Sequence, residues 1–154
     1  VVLVQTGFVY QQSTVLNAQM SIRYNVAVAL LDDMALLEQF TDTRLQDPQL
    51  NELISRVDVY VDPEMDELYP RYYAGVVEIE LSDGRTLRKR VDASRGMPEN
   101  SMSRQDILAK FYSLTRSASV EDLVANQLMH ALEGVFDVDD VASLGQLLGE
   151  LKVG

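Results

Sequence analysis

The amino-acid sequence predicts an α+β protein, with a small antiparallel sheet and packed helices followed by further helices. Helical patterns come first, then an alternating strand and a β-hairpin, and three helical patterns close the chain. The 154 residues, 47% of them hydrophobic, suffice for a substantial core. We therefore expect an α+β domain over residues 1–101 and C-terminal helices over residues 102–154.

The first long pattern, NAQMSIRYNVAVALL, predicts one helix over residues 17–31 with Asn17 as its N-cap. Its apolar residues fall on two opposite sides. One side contains Met20, Tyr24, Ala27 and Leu31, and the other contains Ile22 and Ala29. A helix of this kind is typical of burial between two layers. Ser21 and Asn25 form a polar stripe beside Tyr24, which then needs hydrogen-bond partners or a cavity.

The middle of the chain combines helix-start signals with strand patterns. Asp47-Pro48 opens a predicted helix over residues 49–55. The hairpin VVEIEL-SDG-RTLRKRV is the clearest local signal, and its Asp-Gly predicts a type I′ turn. Further predicted elements are strands over residues 1–4 and 57–61, a helical turn over residues 35–40 and an acidic loop over residues 62–70.

Three helices are predicted in the C-terminal part of the chain. Ser103 caps the first, over residues 104–115, whose apolar stripe is Ile107, Leu108, Phe111 and Leu114. Ser119 is expected to start the second helix, because an acidic first turn follows it. Asp139-Asp140 is expected to start the third, which ends near Gly149.

Composition excludes several classes of function. The net charge of −11 argues against a nucleic-acid binder and against docking on an anionic membrane. No apolar run reaches the roughly 20 residues that span a bilayer. There are no cysteines, so disulfides, thiolate nucleophiles and Cys-bound zinc are ruled out. The chain opens with VVLVQ, without Met or a signal sequence. We therefore expect a trimmed chain or missing upstream sequence.

The common catalytic and nucleotide-binding motifs are absent, including GxGxxG, the P-loop, GxSxG and HExxH. His130 is the one histidine, and a packed or half-exposed helix histidine is preferred to a functional one. The acidic residues Asp62, Glu64, Asp66 and Glu67 lack the EF-hand pattern, so a solvated loop is preferred to a calcium site. We expect no metal. The basic residues Arg88 and Arg90 are expected to pair with Glu78 and Glu80 across the hairpin, an interpretation preferred to an anion site.

Tyr24 and Arg23 remain as candidate site residues. A tyrosine on a buried helix can donate a hydrogen bond to a substrate or act as an acid or base. The alternative is a core tyrosine whose hydroxyl is bonded to the backbone, and periodicity alone favours that alternative.

The segment AQMSIRYNVAVALLD resembles the A-x-F-S-x-x-Y-x-x-A-x-A-L-L-D-G pattern of the 2-methylcitrate dehydratase (MmgE/PrpD) family. Further segments resemble that family in the same order. They are DPQLNELISRVDV, the hairpin VEIELSDGRT, RGMPENSMSRQDILAKF and the final helices. Asp33 departs from the pattern where the family has glycine, so that helix end should be built differently. Ser101 replaces a proline, which suggests a looser loop.

The resemblance implies a large helical domain and a smaller α+β lid, with the active site between them. This chain would then be most of the lid plus the returning helices, and its partner would be a missing N-terminal helical domain. The family implies a cytoplasmic homodimer that acts on small di- and tricarboxylic acids without a metal or organic cofactor. The main acid–base groups would lie upstream. Tyr24 falls on the family's lid tyrosine and would act on the substrate, and Arg23 could bind a substrate carboxylate.

We therefore expect the lid portion of a lyase resembling 2-methylcitrate dehydratase, which removes a proton next to a carboxylate and loses water. A cis-aconitate decarboxylase-like or iminodisuccinate epimerase-like enzyme is the alternative within the family. A non-catalytic binding or assembly module that kept the fold is the alternative from another class. The chain alone is expected to have no turnover.

Overall fold

The computed structural model describes residues 6–11, 14–137 and 140–150, and the predicted strand over residues 1–4 lies outside them. The chain divides into two compact units, Val1–Ser101 and Met102–Gly154. Helices dominate and one two-stranded antiparallel sheet is present among the described residues, which confirms the α+β class. No helix in the described ranges is long and apolar enough to cross a bilayer.

The predicted long helix is in fact two helices, α1 (Val15–Met20) and α2 (Ile22–Asp32). Ser21 is extended, with φ −92° and ψ 118°, and it ends α1 and begins α2. The first N-cap is Thr14, whose hydroxyl accepts from the backbone N–H of Asn17 at 3.1 Å, so the prediction of Asn17 as N-cap was wrong. An N-cap hydroxyl accepts a hydrogen bond from a backbone N–H that has no partner within the helix. Thr14 does this for α1, and Ser21 does it for α2.

The end of α2 also differs from expectation. Asp33 lies in the left-handed region, with φ 58° and ψ 9°, which is the conformation that glycine adopts most easily after a helix. Asp33 therefore ends α2 with the backbone conformation that glycine would favour, so the expected difference in this helix end finds no support in its backbone.

Three further helices follow in the described part of the first unit. They are α3 (Asp42–Leu45), α4 (Pro48–Ser55) and α5 (Pro63–Asp66), and a 3₁₀ turn at Leu37–Gln39 precedes them. The Asp47 carboxylate caps α4 by accepting from the N–H groups of Gln49 and Leu50, as the Asp-Pro signal predicted. The acidic loop is partly helical, since Asp62 caps α5 by accepting from the Glu64 N–H at 2.9 Å.

The core of the first unit lies between α1, α2, α3 and α4. Its buried residues are Ala18, Tyr24, Ala27, Val28, Leu45, Leu50 and Ile54. Tyr10, Phe40 and Val57 are partly buried against this cluster. One of the two apolar sides of α2 therefore faces this core, as the sequence predicted. The expected burial of the other side was wrong for the described residues, because Ile22 is half-buried and Ala29 is exposed.

The hairpin forms as predicted, with β1 (Gly75–Glu80) antiparallel to β2 (Thr86–Val91). Glu78 lies opposite Arg88, and the Arg88 Nε lies 2.8 Å from the Glu78 Oε1. Arg90 pairs with Asp92 and Glu64 rather than with Glu80, because the register places it opposite Val76. Gly84 has φ 84° and its N–H donates to the Leu81 carbonyl, the pattern of a type I turn closed by a bulge and not of the predicted type I′ turn.

The alternating segment at residues 57–61 is not a strand, which corrects the prediction. A strand needs a neighbour to accept its backbone hydrogen bonds, and among the described residues the sheet contains β1 and β2. The side chains of this segment contact other parts of the unit instead. Val57 packs against the helical core, and the Tyr60 hydroxyl donates to the Glu78 carboxylate at 3.1 Å.

The described part of the second unit contains α6 (Arg104–Ser117), α7 (Asp122–Glu133), a 3₁₀ turn at Val135–Asp137 and α8 (Ala142–Glu150). Ser103 and Asp106 form a reciprocal capping box, as the sequence predicted for Ser103. The start of α7 was predicted wrongly: Ser119 lies in the turn before it, with φ 56°, and Glu121 is the N-cap. The Asp140 carboxylate accepts from the Ala142 N–H at the start of α8, whereas Asp139 lies outside the described residues.

Candidate functional site

The candidate site is built on the first two turns of α2, where Tyr24 points into the core of the first unit. Its side chain is fully buried. The rings of Phe40 and Tyr10 lie on it, with centroids 5.4 and 5.5 Å from that of Tyr24. The Tyr24 hydroxyl donates a hydrogen bond of 2.7 Å to the backbone carbonyl of Gln39. The geometry in this chain is therefore that of a core tyrosine bonded to the backbone, and its role toward a substrate stays a prediction.

Burial determines the proton chemistry of Tyr24. Loss of water around the phenol is the main cause that raises its pKa to about 12, and the nearby Tyr10, Asp32 and Asp47 act in the same direction. Arg44 opposes them. A phenol with this pKa is protonated at neutral pH, so Tyr24 can serve as a hydrogen-bond donor there but not as a phenolate base.

The Arg23 side chain reaches the segment that precedes α1. Its Nη1 donates to the carbonyl oxygens of Gly7 and Phe8, at 2.5 and 2.8 Å. The guanidinium is half-buried and holds this segment against the helix. The predicted binding of a substrate carboxylate would have to share or replace these two bonds.

The polar stripe of α2 has partners within the chain. Ser21 is fully buried, and its hydroxyl accepts from the Tyr24 N–H at 3.3 Å. The Asn25 amide donates to the carbonyls of Ala18, Gln19 and Ser21 around the end of α1. The Ala18 and Ser21 carbonyls also accept from the backbone N–H groups of Ser21 and Asn25. These bonds therefore stabilise the break between α1 and α2. The alternative that the sequence allowed, a cavity lined by the polar stripe, is not needed to explain Ser21 and Asn25.

Arg44 was missed by the sequence analysis, although it lies beside Tyr24 in the core. Its guanidinium forms ion pairs with Asp32, at 2.6 Å, and with Asp47. These pairs join the end of α2 to the N-cap of α4. Arg44 Nε and the Tyr10 hydroxyl are buried without a hydrogen-bond partner among the described residues. Asp47 lies only three residues after Arg44, a spacing that the sequence shows, whereas Asp32 is 12 residues away and only the fold brings it to Arg44.

The remaining sequence candidates form no site in the described residues. His130 is exposed near the end of α7. In the described ranges, no group of three or more acidic or histidine side chains could hold a metal ion. An open depression of about 390 Å³ lies on the other side of α2, lined by Thr6, Gln19, Met20, Ile22, Asn25, Val26 and Ala29. It lacks ionisable side chains, so it offers no acid–base chemistry.

Comparisons with known proteins show what the chain is similar to. The family profile of the MmgE/PrpD C-terminal domain matches residues 2–133. The cis-aconitate decarboxylase of Aspergillus terreus is 32% identical over 132 residues, which cover 84% of the chain and 26% of that protein. The cis-aconitate decarboxylase of Mus musculus is 27% identical over 131 residues, or 85% of the chain and 26% of that protein. The human cis-aconitate decarboxylase is 26% identical, with 85% and 27% covered.

The profile match covers the first unit from residue 2 and continues through α6 and α7, while α8 lies beyond it. The chain spans about a quarter of the length of the curated relatives that it matches. The resemblance seen in the ordered motifs is thereby confirmed, and the chain belongs to the MmgE/PrpD family through its C-terminal domain.

Proposed function

We propose that this chain is the lid and returning helices of a lyase that acts on a small di- or tricarboxylic acid. The observation that carries the proposal is the match to cis-aconitate decarboxylase at 32% identity over 84% of the chain. The names of these relatives favour loss of carbon dioxide over loss of water. Decarboxylation of cis-aconitate is therefore the first candidate reaction, and dehydration of 2-methylcitrate is the second.

Tyr24 has the properties of a neutral donor in such a reaction. Breaking a bond next to a carboxylate develops negative charge on the substrate, and a phenol that stays protonated can donate a hydrogen bond to it. The described residues place no histidine or lysine beside the Tyr24 hydroxyl. The proposal therefore assigns the proton transfers to a helical domain outside this chain.

The test compares this chain with the complete reading frame that encodes it. Release of carbon dioxide from cis-aconitate measures the first reaction, and formation of the unsaturated product from 2-methylcitrate measures the second. We expect no turnover from the chain alone and decarboxylation by the longer protein. Turnover by the chain alone would contradict the assignment of the acid–base groups to another domain.

Tyr24→Phe in the longer protein tests the role of the hydroxyl. A lost donor at the reacting atoms should lower kcat by about tenfold or more, since such donors act mainly in the transition state. Tyr60→Phe is the matched control, because Tyr60 is 64% exposed and its hydroxyl meets Glu78 at the hairpin. An unchanged kcat for Tyr24→Phe would return this residue to a purely structural role.

A non-catalytic binding or assembly module is the second candidate function. Two observations favour it: the Tyr24 hydroxyl is already bonded to the Gln39 carbonyl, and Arg23 is bonded to Gly7 and Phe8. Binding of cis-aconitate without turnover by the longer protein would support the module. The predicted homodimer and cytoplasmic location belong to the proposed enzyme, and sedimentation and cell fractionation would test them.

A further inference from the structure

The segment between α2 and α3, residues 34–40, lies over the hydroxyl end of Tyr24, and we call it the 34–40 cover. It begins after the left-handed Asp33 and ends at Thr41, the N-cap of α3. Most of its hydrogen bonds join two residues within the cover. The N–H groups of Gln39 and Phe40 donate to the carbonyls of Leu36 and Leu37 at 3.0 Å.

The Gln39 side chain adds another internal bond, since its Oε1 accepts from the Leu36 N–H at 3.0 Å. Among the hydrogen bonds that the structure describes, one joins the cover to the rest of the unit, from the Tyr24 hydroxyl to the Gln39 carbonyl. The Phe40 ring, stacked on Tyr24, is the main apolar contact. The side chains of Met34, Leu36 and Leu37 are 44%, 40% and 46% exposed.

We propose that the 34–40 cover is a hinged cap that opens to expose the Tyr24 hydroxyl to a carboxylate ligand. The ligand part of this inference rests on the proposed function, whereas the opening itself does not. The hinges are the backbone at Asp33 and Thr41, where the helical geometry is interrupted on both sides.

The bonds of the cover explain why it can move as a unit. Opening breaks the single bond from Tyr24 and separates the Phe40 ring from the Tyr24 ring. It also exposes the short internal bonds of the cover to water, so the amides that donate in them can exchange. A carboxylate oxygen is a stronger acceptor than a backbone carbonyl, because charge-assisted hydrogen bonds are the stronger kind. The same phenol can therefore exchange the Gln39 carbonyl for a ligand without losing a partner.

Native-state amide exchange on the full chain tests the opening. If the cover opens alone, the amides of Gln39 and Phe40 exchange through a small opening that depends weakly on denaturant, unlike the Ile54 amide in α4. Phe40→Leu should speed exchange of the cover amides about tenfold and leave the Ile54 amide unchanged. Leu37→Ala is the matched control, because this exposed side chain adds little to the contact with Tyr24.

Exchange of the Gln39 and Phe40 amides only with global unfolding would overturn the inference, whatever the variants do. The ligand part is tested by nitration of tyrosines with tetranitromethane in the longer protein, read by peptide mass spectrometry. Phe40→Leu should raise the nitration rate of Tyr24 relative to that of exposed Tyr60, and cis-aconitate should lower it again. Opening without any effect of cis-aconitate would overturn the ligand part, and the decarboxylase assay decides the proposed function separately.

Discussion

Replacing Asp33 by glycine should stabilise the protein by about 1 kcal/mol. Asp33 ends α2 with φ 58° and ψ 9°, and its side chain is exposed. An L-residue in the left-handed region costs roughly 1–2 kcal/mol, and aspartate lies toward the lower end of that range. Glycine removes this strain because it has no Cβ.

Two further effects modify the gain. Glycine loses more backbone entropy on folding, which offsets about 0.5–1 kcal/mol. Removing a negative charge from a helix C-terminus returns about 0.3–1 kcal/mol, because the carboxylate opposes the helix dipole. The balance is a net gain of about 1 kcal/mol, which corresponds to a rise in Tm of roughly 2–4 °C for a chain of this size.

Urea denaturation followed by circular dichroism measures the change, and two matched variants separate its causes. Asp33→Asn keeps the side-chain shape and removes the charge, so it should give only the electrostatic part. Asp33→Ala should be less stable than Asp33→Gly, since alanine tolerates the left-handed region poorly. An alanine variant as stable as the glycine variant would refute the backbone argument.

Three further predictions concern α2 and the hairpin. Ser21→Ala should lower the free energy of unfolding by about 1–2 kcal/mol, because it removes a buried N-cap. Ser21→Thr should recover much of the loss. Equal stability of wild type and both variants would contradict the capping role of Ser21. Tyr24→Phe should cost about 1 kcal/mol at pH 8 by losing the bond to Gln39. The folded pKa of Tyr24, about 12, lies above the value of 10.0 in the unfolded chain, so its contribution is full below pH 10 and falls as pH rises toward 12. The difference between wild type and Tyr24→Phe should therefore shrink between pH 9 and pH 11, and a constant difference would argue against the raised pKa. Arg88→Ala should change stability by less than about 0.5 kcal/mol, since the side chains of Arg88 and Glu78 are 51% and 41% exposed, and a double-mutant cycle with Glu78→Ala measures the coupling.

Signals that act over three or four residues predicted the fold well. Asp47 and Ser103 cap their helices through side-chain bonds to nearby backbone N–H groups, and both starts could be found in the sequence. The hairpin followed from alternation and the Asp-Gly turn. Its register could not, so the partners of Arg90 were assigned wrongly.

The errors share a physical cause, which is that the decisive partner lies outside the local pattern. Apolar periodicity runs unbroken through residues 17–31, yet the helix is interrupted at Ser21. There the Ser21 hydroxyl caps α2 and the Asn25 amide donates to carbonyls at the end of α1. Residues 57–61 alternate like a strand, but Val57 packs against the helical core and the Tyr60 hydroxyl donates to Glu78. Tyr24 was identified from the family resemblance. Its bond to the Gln39 carbonyl and its proximity to Arg44 could not be predicted, because only the fold brings these residues together.

The single residue between α1 and α2 limits how the length of this segment can vary. Ser21 serves both helices at once, and no spare residue separates them. Inserting or deleting one residue there would change how α1 packs against α2, because no loop separates the two helices to absorb the change. Ala18 would then leave the core, and the Asn25 amide would no longer meet the end of α1. Relatives that keep this junction should therefore tolerate substitutions at position 21 more readily than gaps beside it.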